Sequence, residues 1–253
     1  MTDDLHRRFG FETIEAGERR AGIRRRVAAV ARRYDLMNDV MARAWRRRWK
    51  RRLVKAVAVR PGETMLDLAS GGGDVAIALA GPGRQVIMCD PSVAMMAVRR
   101  RRGAEHIVWV AGEAEALPFA TDSLDGVTIA FGIRNVARLD RALAEILRAL
   151  KPGGRLLCLE FSRPRPWFRP FSGLVCFAVV ARLGAWIART PEAYVSLVES
   201  FRRFPDQAGL KRAMEAAGFE GVAYRDLTFG VVTLHVGLKP LAVRSAAPGA
   251  VTP

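Results

Sequence analysis

The sequence predicts an α/β fold: a doubly wound, mostly parallel sheet, with a basic helical cap at the N-terminus and a helical insertion late in the chain. Three observations carry this. Between about residues 64 and 160, short apolar runs of strand length alternate with longer segments of helical character. Turn residues separate them, as in Arg60-Pro61-Gly62, Gly81-Pro82-Gly83 and Lys151-Pro152-Gly153-Gly154. A glycine loop, Ser70-Gly71-Gly72-Gly73-Asp74, directly follows the first apolar run and opens a helix.

Taken in order, residues 1–60 read as helical, rich in arginine and carrying Trp45 and Trp49. Residues 64–68 are the first strand and 75–79 begin a helix. Residues 85–89 form a second strand ending at Asp90, followed by a helix over 91–102. The third strand is 107–110, the fourth 125–130 and the fifth 155–160, with a helix from about 140 to 150 between the last two. The pattern then breaks into an apolar, aromatic insertion at about 163–205. A helix over 207–217, stopped by Gly218, precedes a closing pair of strands at 221–225 and 231–237. Domain boundaries are therefore expected at 1–60 for the cap and 61–240 for the sheet domain, with 241–253 a disordered tail.

Composition narrows the function. With 253 residues, 50% apolar and 26% charged, and mean hydropathy of +0.06, the chain can build a sizeable core. Three isolated cysteines, Cys89, Cys158 and Cys176, exclude a disulfide framework or a zinc site of paired cysteines, and no metal is expected. Their single use fits a cytoplasmic setting. The net charge is +16, concentrated in residues 1–60 in runs such as Arg24-Arg25-Arg26 and Arg46-Arg47-Arg48. Such a charge predicts an anionic partner. No nucleic-acid motif accompanies it, so an anionic membrane surface is favoured over nucleic acid. The longest apolar stretch, Phe171 to Ala181, is shorter than the roughly 20 residues a bilayer span needs.

The glycine loop lacks both the GxGxxG spacing of a nicotinamide site and the GxxxxGK[ST] of a P-loop. Small residues there still allow close backbone approach to a ligand. Asp90 ends the second strand about twenty residues on, where a carboxylate can hold both hydroxyls of a ribose. Glu113 and Ala114, after the third strand, are placed to edge an adenine. Asp67 is placed to meet a cationic amino group. Together these predict an adenosyl cofactor held by Asp67, Ala69, Gly71, Gly72, Gly73, Asp90, Glu113 and Ala114, to which the resemblance described next adds Ala130.

These residues resemble class I S-adenosylmethionine-dependent methyltransferases. The likeness narrows further through Tyr34-Asp35-Leu36-Met37-Asn38-Asp39, Trp49-Lys50, Ala114-Glu115-Ala116-Leu117-Pro118-Phe119, Phe131-Gly132-Ile133-Arg134-Asn135-Val136, Leu159-Glu160-Phe161-Ser162 and Thr233-Leu234-His235. In that order and spacing, from about Phe9 to Lys239, they resemble the ubiquinone/menaquinone biosynthesis C-methyltransferase family. The resemblance implies a seven-stranded Rossmann-like methyltransferase fold and S-adenosyl-L-methionine as cofactor. It also implies methylation of a ring carbon of a polyprenylated hydroquinone, of the demethylmenaquinol or 6-methoxy-1,4-benzoquinol type. Peripheral association with the inner face of the membrane follows from such a substrate. A quinone-biosynthesis complex and a homodimer are further assemblies it allows. The alternatives are a phospholipid N-methyltransferase and a non-catalytic scaffold of the same fold.

On this reading Arg134 stabilises a phenolate, Asn135 orients the ring or the cofactor, and His235, Asp35 and Tyr34 handle protons. The run from Trp167 and Phe168 to Trp186 supplies an apolar channel for the tail. The sequence departs from the family at Ser70, Gly72, Glu113, Ala130 and Arg46. Two missing polar contacts at about 1 kcal/mol each weaken cofactor binding about tenfold or somewhat more.

Overall fold

A computed structural model describes residues 8–9, 12–13, 45–92, 107–168 and 204–241. Within the span expected to be helical, β1 (Arg8–Phe9) and β2 (Glu12–Thr13) instead pair antiparallel. A helix, α1, occupies residues 45–57. Its apolar stripe Trp49, Leu53 and Val57 recurs every four residues and is buried.

Seven strands form one sheet: β3 (Thr64–Leu68), β4 (Gln85–Asp90), β5 (Ile107–Ala111), β6 (Leu124–Ala130), β7 (Leu150–Phe161), β8 (Glu220–Leu227) and β9 (Val232–Leu238). Their order is β5-β4-β3-β6-β7-β9-β8. β5, β4, β3, β6 and β7 run parallel, and β9 lies antiparallel between β7 and β8. The closing pair of the sequence reading is thus the antiparallel edge of a mostly parallel sheet. Helix α2 (Asp74–Leu79) joins β3 to β4, and α3 (Leu139–Ala149) joins β6 to β7. Helix α4 (Gln207–Ala216) precedes β8.

The central strands are apolar on both faces, as a sheet covered on both sides requires. Leu156 and Cys158 pack with Ile146 of α3 and Met214 of α4, while Leu157 and Leu159 pack with Leu53 of α1 and Leu79 of α2. Helices on opposite faces make the switch point fall between β3 and β6, where chain direction around the sheet reverses and ligands of open α/β sheets bind.

Lys151-Pro152-Gly153-Gly154, expected as a turn, lies inside β7 as a bulge. The register jumps from Leu124 opposite Leu150 to Gly126 opposite Arg155. Gly153 takes the left-handed backbone at φ 77 and donates its N–H to the Lys239 carbonyl at 2.9 Å, so the turn pairs with the end of β9. The helix over 91–102, most of the insertion at 163–205 and nearly all of the tail at 241–253 lie outside the described residues.

Candidate active site

β3 ends at Leu68, and the chain turns through three left-handed residues: Ala69 at φ 51, Gly71 at φ 53 and Gly73 at φ 75. An alanine in that conformation is strained by about 1–2 kcal/mol, which the surroundings must hold in place. They do so from the next strand over. Gly132, just past β6, has its Cα so close to Ala69 that a methyl group there would meet the Ala69 Cβ at 2.5 Å. The glycine loop and the Ile133–Asn135 turn are therefore packed side by side at the carboxyl ends of β3 and β6.

Two carboxylates brace the loop. Asp90, buried at the end of β4, accepts the Gly71 N–H at 2.8 Å and the Ser92 N–H at 2.8 Å. Burial raises its pKa, partly offset by those two N–H groups. Each Asp90 oxygen retains a second lone pair, so ribose hydroxyls can still donate to it. Asp67, near the end of β3, is buried. It accepts the Thr128 hydroxyl at 2.9 Å and the Ala76 N–H of α2 at 3.1 Å. Burial pushes its carboxyl up to about 7, against the pull of those hydrogen bonds and of the Lys50 charge. Lys50 itself pairs with Asp74, the first residue of α2, at 3.1 Å.

The Ser70 hydroxyl, in the middle of the loop, is buried with no hydrogen-bond partner among the described residues. A buried hydroxyl without a partner is costly and marks a place where a ligand atom can complete it. With the left-handed glycines and the spare lone pairs of Asp90, this donor set fits a nucleoside cofactor. Glu113 bridges to Ala116 just beyond β5, with Ala114 buried between them, and Ala130 closes β6 beside the loop.

Arg134 sits below the same edge, buried. Its Nη1 donates to the Glu160 carboxylate at 2.5 Å and to the Phe131 carbonyl at 3.0 Å, and its guanidinium lies 5.5 Å over the Phe161 ring. Glu160 also accepts the Phe161 N–H at 2.8 Å. Glu160 is the residue that sequence reasoning passed over. Its signal is a carboxylate inside the apolar run Leu156 to Phe161, a position that demands a buried cation. Asn135, by contrast, is exposed.

An aromatic wall lines this edge. Trp49 packs against Phe131 and Phe161 with ring centroids 6.1 Å apart in each case, and Phe131 and Phe161 are 4.7 Å apart. Arg46 lies over Phe131 at 5.0 Å, while Arg47 and Arg48 are exposed. The Trp49 Nε1–H donates to the Thr228 hydroxyl at 2.9 Å.

The structure does not bring His235 to this cluster. It sits on β9 opposite Cys158, three residues from Val232, which pairs with Phe161. Its Nε2 lies 2.9 Å from the Gln207 carbonyl, and burial lowers its pKa, so the ring is a neutral core group. Tyr34 and Asp35 lie outside the described residues, as does the channel run from Phe171 to Trp186. Trp167 meets Phe229 edge-to-face with ring centroids 5.1 Å apart, and both are more than half exposed.

A sequence model described as the ubiE/COQ5 methyltransferase family matches residues 15–239. The chain is 53% identical over 242 residues to a "Ubiquinone/menaquinone biosynthesis C-methyltransferase UbiE" of Rubrivivax gelatinosus, covering 96% of each. Solved structures share the fold. A chain of the complex between the Haloferax volcanii Trm112 methyltransferase activator and a methyltransferase superposes with a TM-score of 0.61 at 22% identity, covering 85% of this chain and 96% of that one. A Haemonchus contortus phosphoethanolamine N-methyltransferase 2, bound to phosphomonomethylethanolamine and S-adenosylhomocysteine, gives 0.60 at 16% identity, covering 82% and 56%.

Proposed function

The chain belongs to the ubiE/COQ5 methyltransferase family and is a C-methyltransferase of ubiquinone/menaquinone biosynthesis, and from that premise we propose how its residues divide the work. The observation that carries the reading is the braced loop at the switch point. Ala69, Gly71 and Gly73 are left-handed, Asp90 has lone pairs to spare, and the Ser70 hydroxyl is buried without a partner among the described residues. S-Adenosylmethionine bound there supplies an electrophilic methyl group on a sulfonium. Gly71, Gly72 and Gly73 let the backbone approach it, Asp90 takes the ribose hydroxyls, and Glu113 and Ala114 edge the adenine. Asp67 acts from below by fixing α2 and β6 under the loop, and Ala130 leaves room where β6 ends.

The acceptor is a polyprenylated hydroquinone. Loss of one hydroxyl proton makes the ring carbon nucleophilic. That carbon then gains the methyl group and releases its own hydrogen as a proton. Asn135, exposed at the mouth, orients the ring. Arg134 is a positioning residue: tied to Glu160 and the Phe131 carbonyl, it fixes the turn carrying Asn135 and presents a cationic field to the developing phenolate. Trp49, Phe131 and Phe161 exclude water. Tyr34 and Asp35 are the candidates for accepting the proton.

A polyprenyl tail places the substrate in a bilayer. No helix among the described residues is long and apolar enough to cross a membrane. Exposed Trp45, Trp167 and Phe229, with the arginine runs 24–26 and 46–48, support peripheral attachment to anionic lipid. The test is calorimetric titration with S-adenosylmethionine and S-adenosylhomocysteine, followed by methyl transfer to a short-tail demethylquinol. Micromolar binding and a C-methylated product are expected. No binding up to millimolar concentration overturns the reading and leaves a scaffold.

A further inference from the structure

Among the described residues, one face of the sheet carries an open groove. Helix α1 buries Trp49, Leu53 and Val57 on β7 and β9, and points Lys50 toward α2. Its opposite flank, residues 52 and 56, faces the outer strands β8 and β9 across a groove of about 630 Å³. The floor is aliphatic: Ala223, Leu234 and Val236. The rim is cationic: Arg52 and Lys55 from α1, and Arg225 from β8. No carboxylate lines it.

Several cations elsewhere on the described surface have a carboxylate partner. Lys50 pairs with Asp74, Arg155 with Glu63, Arg165 with Asp226, and Lys151 with Asp125. Arg52, Lys55 and Arg225 have no ion-pair partner among the described residues. Asp226, next to Arg225, is turned to the other face, where it accepts from Gln207 and Thr233. Three cations around a hydrocarbon floor match a ligand with one anionic head and an apolar body. Guanidinium groups hold a phosphodiester through paired N–H donors. A nucleic acid would leave the aliphatic floor without a partner, and a free phosphate would leave it wet.

We infer that the groove between α1 and the β8–β9 edge is a docking site for an anionic phospholipid of the bilayer surface. The volume lies in the range of small-molecule sites, about 300–1,000 Å³. The inference rests on the reading of the enzyme as one whose acceptor lives in a membrane. It adds the partner: a lipid headgroup captured on the sheet face, away from the glycine loop.

The test is sedimentation of the full chain with vesicles of phosphatidylcholine alone and of phosphatidylcholine with phosphatidylglycerol. Arg52→Glu/Arg225→Glu is compared with Arg141→Glu/Arg212→Glu, an equal charge change on the α3 and α4 side of the sheet. Circular dichroism and Tm establish that each variant folds. The groove pair is expected to lose anionic-vesicle affinity by at least about tenfold more than the control pair. Ala223→Glu, which keeps both arginines, gives the same loss. Equal losses in the two pairs overturn the site and leave only diffuse charge. A dimer in light scattering that the groove variants dissociate, with vesicle binding unchanged, overturns it in favour of a second copy. Turnover of a short-tail quinol by wild type without vesicle binding overturns the lipid groove and leaves methyl transfer standing. Vesicle binding that the groove pair loses and the control pair keeps, without turnover, supports the groove while removing the catalytic reading.

Discussion

Removing the Glu160 carboxylate tests the buried pair at the heart of the candidate site. Its side chain and that of Arg134 are 1% and 3% exposed, and three donors converge on it: the Arg134 guanidinium, the Phe161 N–H and, at 3.4 Å, the Arg134 N–H. Glu160→Ala leaves a guanidinium buried without its charge partner. Breaking such a pair by removing one member costs about 3–5 kcal/mol. At about 2–4 °C per kcal/mol for a chain of this size, Tm falls by roughly 6–20 °C. Arg134→Ala strands the carboxylate and costs a similar amount. Arg134→Met/Glu160→Leu removes both charges while keeping the volume, so it recovers most of the stability. That double variant is expected to bind S-adenosylmethionine near wild-type affinity yet lose turnover, because Asn135 and the phenolate field lose their anchor. Urea denaturation gives the stability terms, and calorimetry with quinol assay gives the split between binding and turnover. A loss below about 1 kcal/mol in Glu160→Ala, or full turnover in the double variant, refutes the positioning role.

Three further outcomes follow from the site. Asp67 has a folded pKa of about 7 against an ordinary 3.8, because burial favours its neutral form. Its stabilising contribution is therefore full below pH 3.8 and is lost as pH rises through 7, worth about 4 kcal/mol across that window. The wild-type minus Asp67→Asn stability difference, measured by urea denaturation, should fall over that range, and a flat difference sinks the assignment. Lys50→Met removes the nearby cation, so the Asp67 midpoint moves up while the exposed ion pair with Asp74 itself contributes under about 1 kcal/mol. Gly132→Ala drives a methyl into Ala69, so it should lose about 1–3 kcal/mol and weaken S-adenosylmethionine binding about tenfold in calorimetry.

The sheet was legible because its strands are apolar on both faces and punctuated by Gly, Pro and Asp. The bulge in β7 was not, because Pro152 and Gly153 carry the same local signal whether the chain turns away or loops out and rejoins its strand. The glycine loop was legible as a tight turn from a parallel strand into a helix, and the structure shows Asp90 bracing it through the Gly71 N–H. The burial of Arg134 was not, because arginine is nearly always exposed and only its pairing with Glu160, 26 residues on, reverses that. His235 stood in an apolar strand, and its neutral core position is the bland reading of that context. What α1 covers depends on contacts with β7 and β9, which no local pattern encodes.

The bond from Trp49 to Thr228 joins residues 179 positions apart. Helix α1 emerges early in synthesis, but the surface that receives its apolar stripe includes Leu227, Val232 and Leu234. At about 5–20 residues per second, roughly 10–35 s pass before that surface leaves the ribosome. Until then the seat of Trp49, Leu53 and Val57 lacks the part that β8 and β9 supply. The Trp49 N–H therefore waits for its acceptor after its ring partners Phe131 and Phe161 have been made. The last hairpin of the sheet thus completes the seat of helix α1.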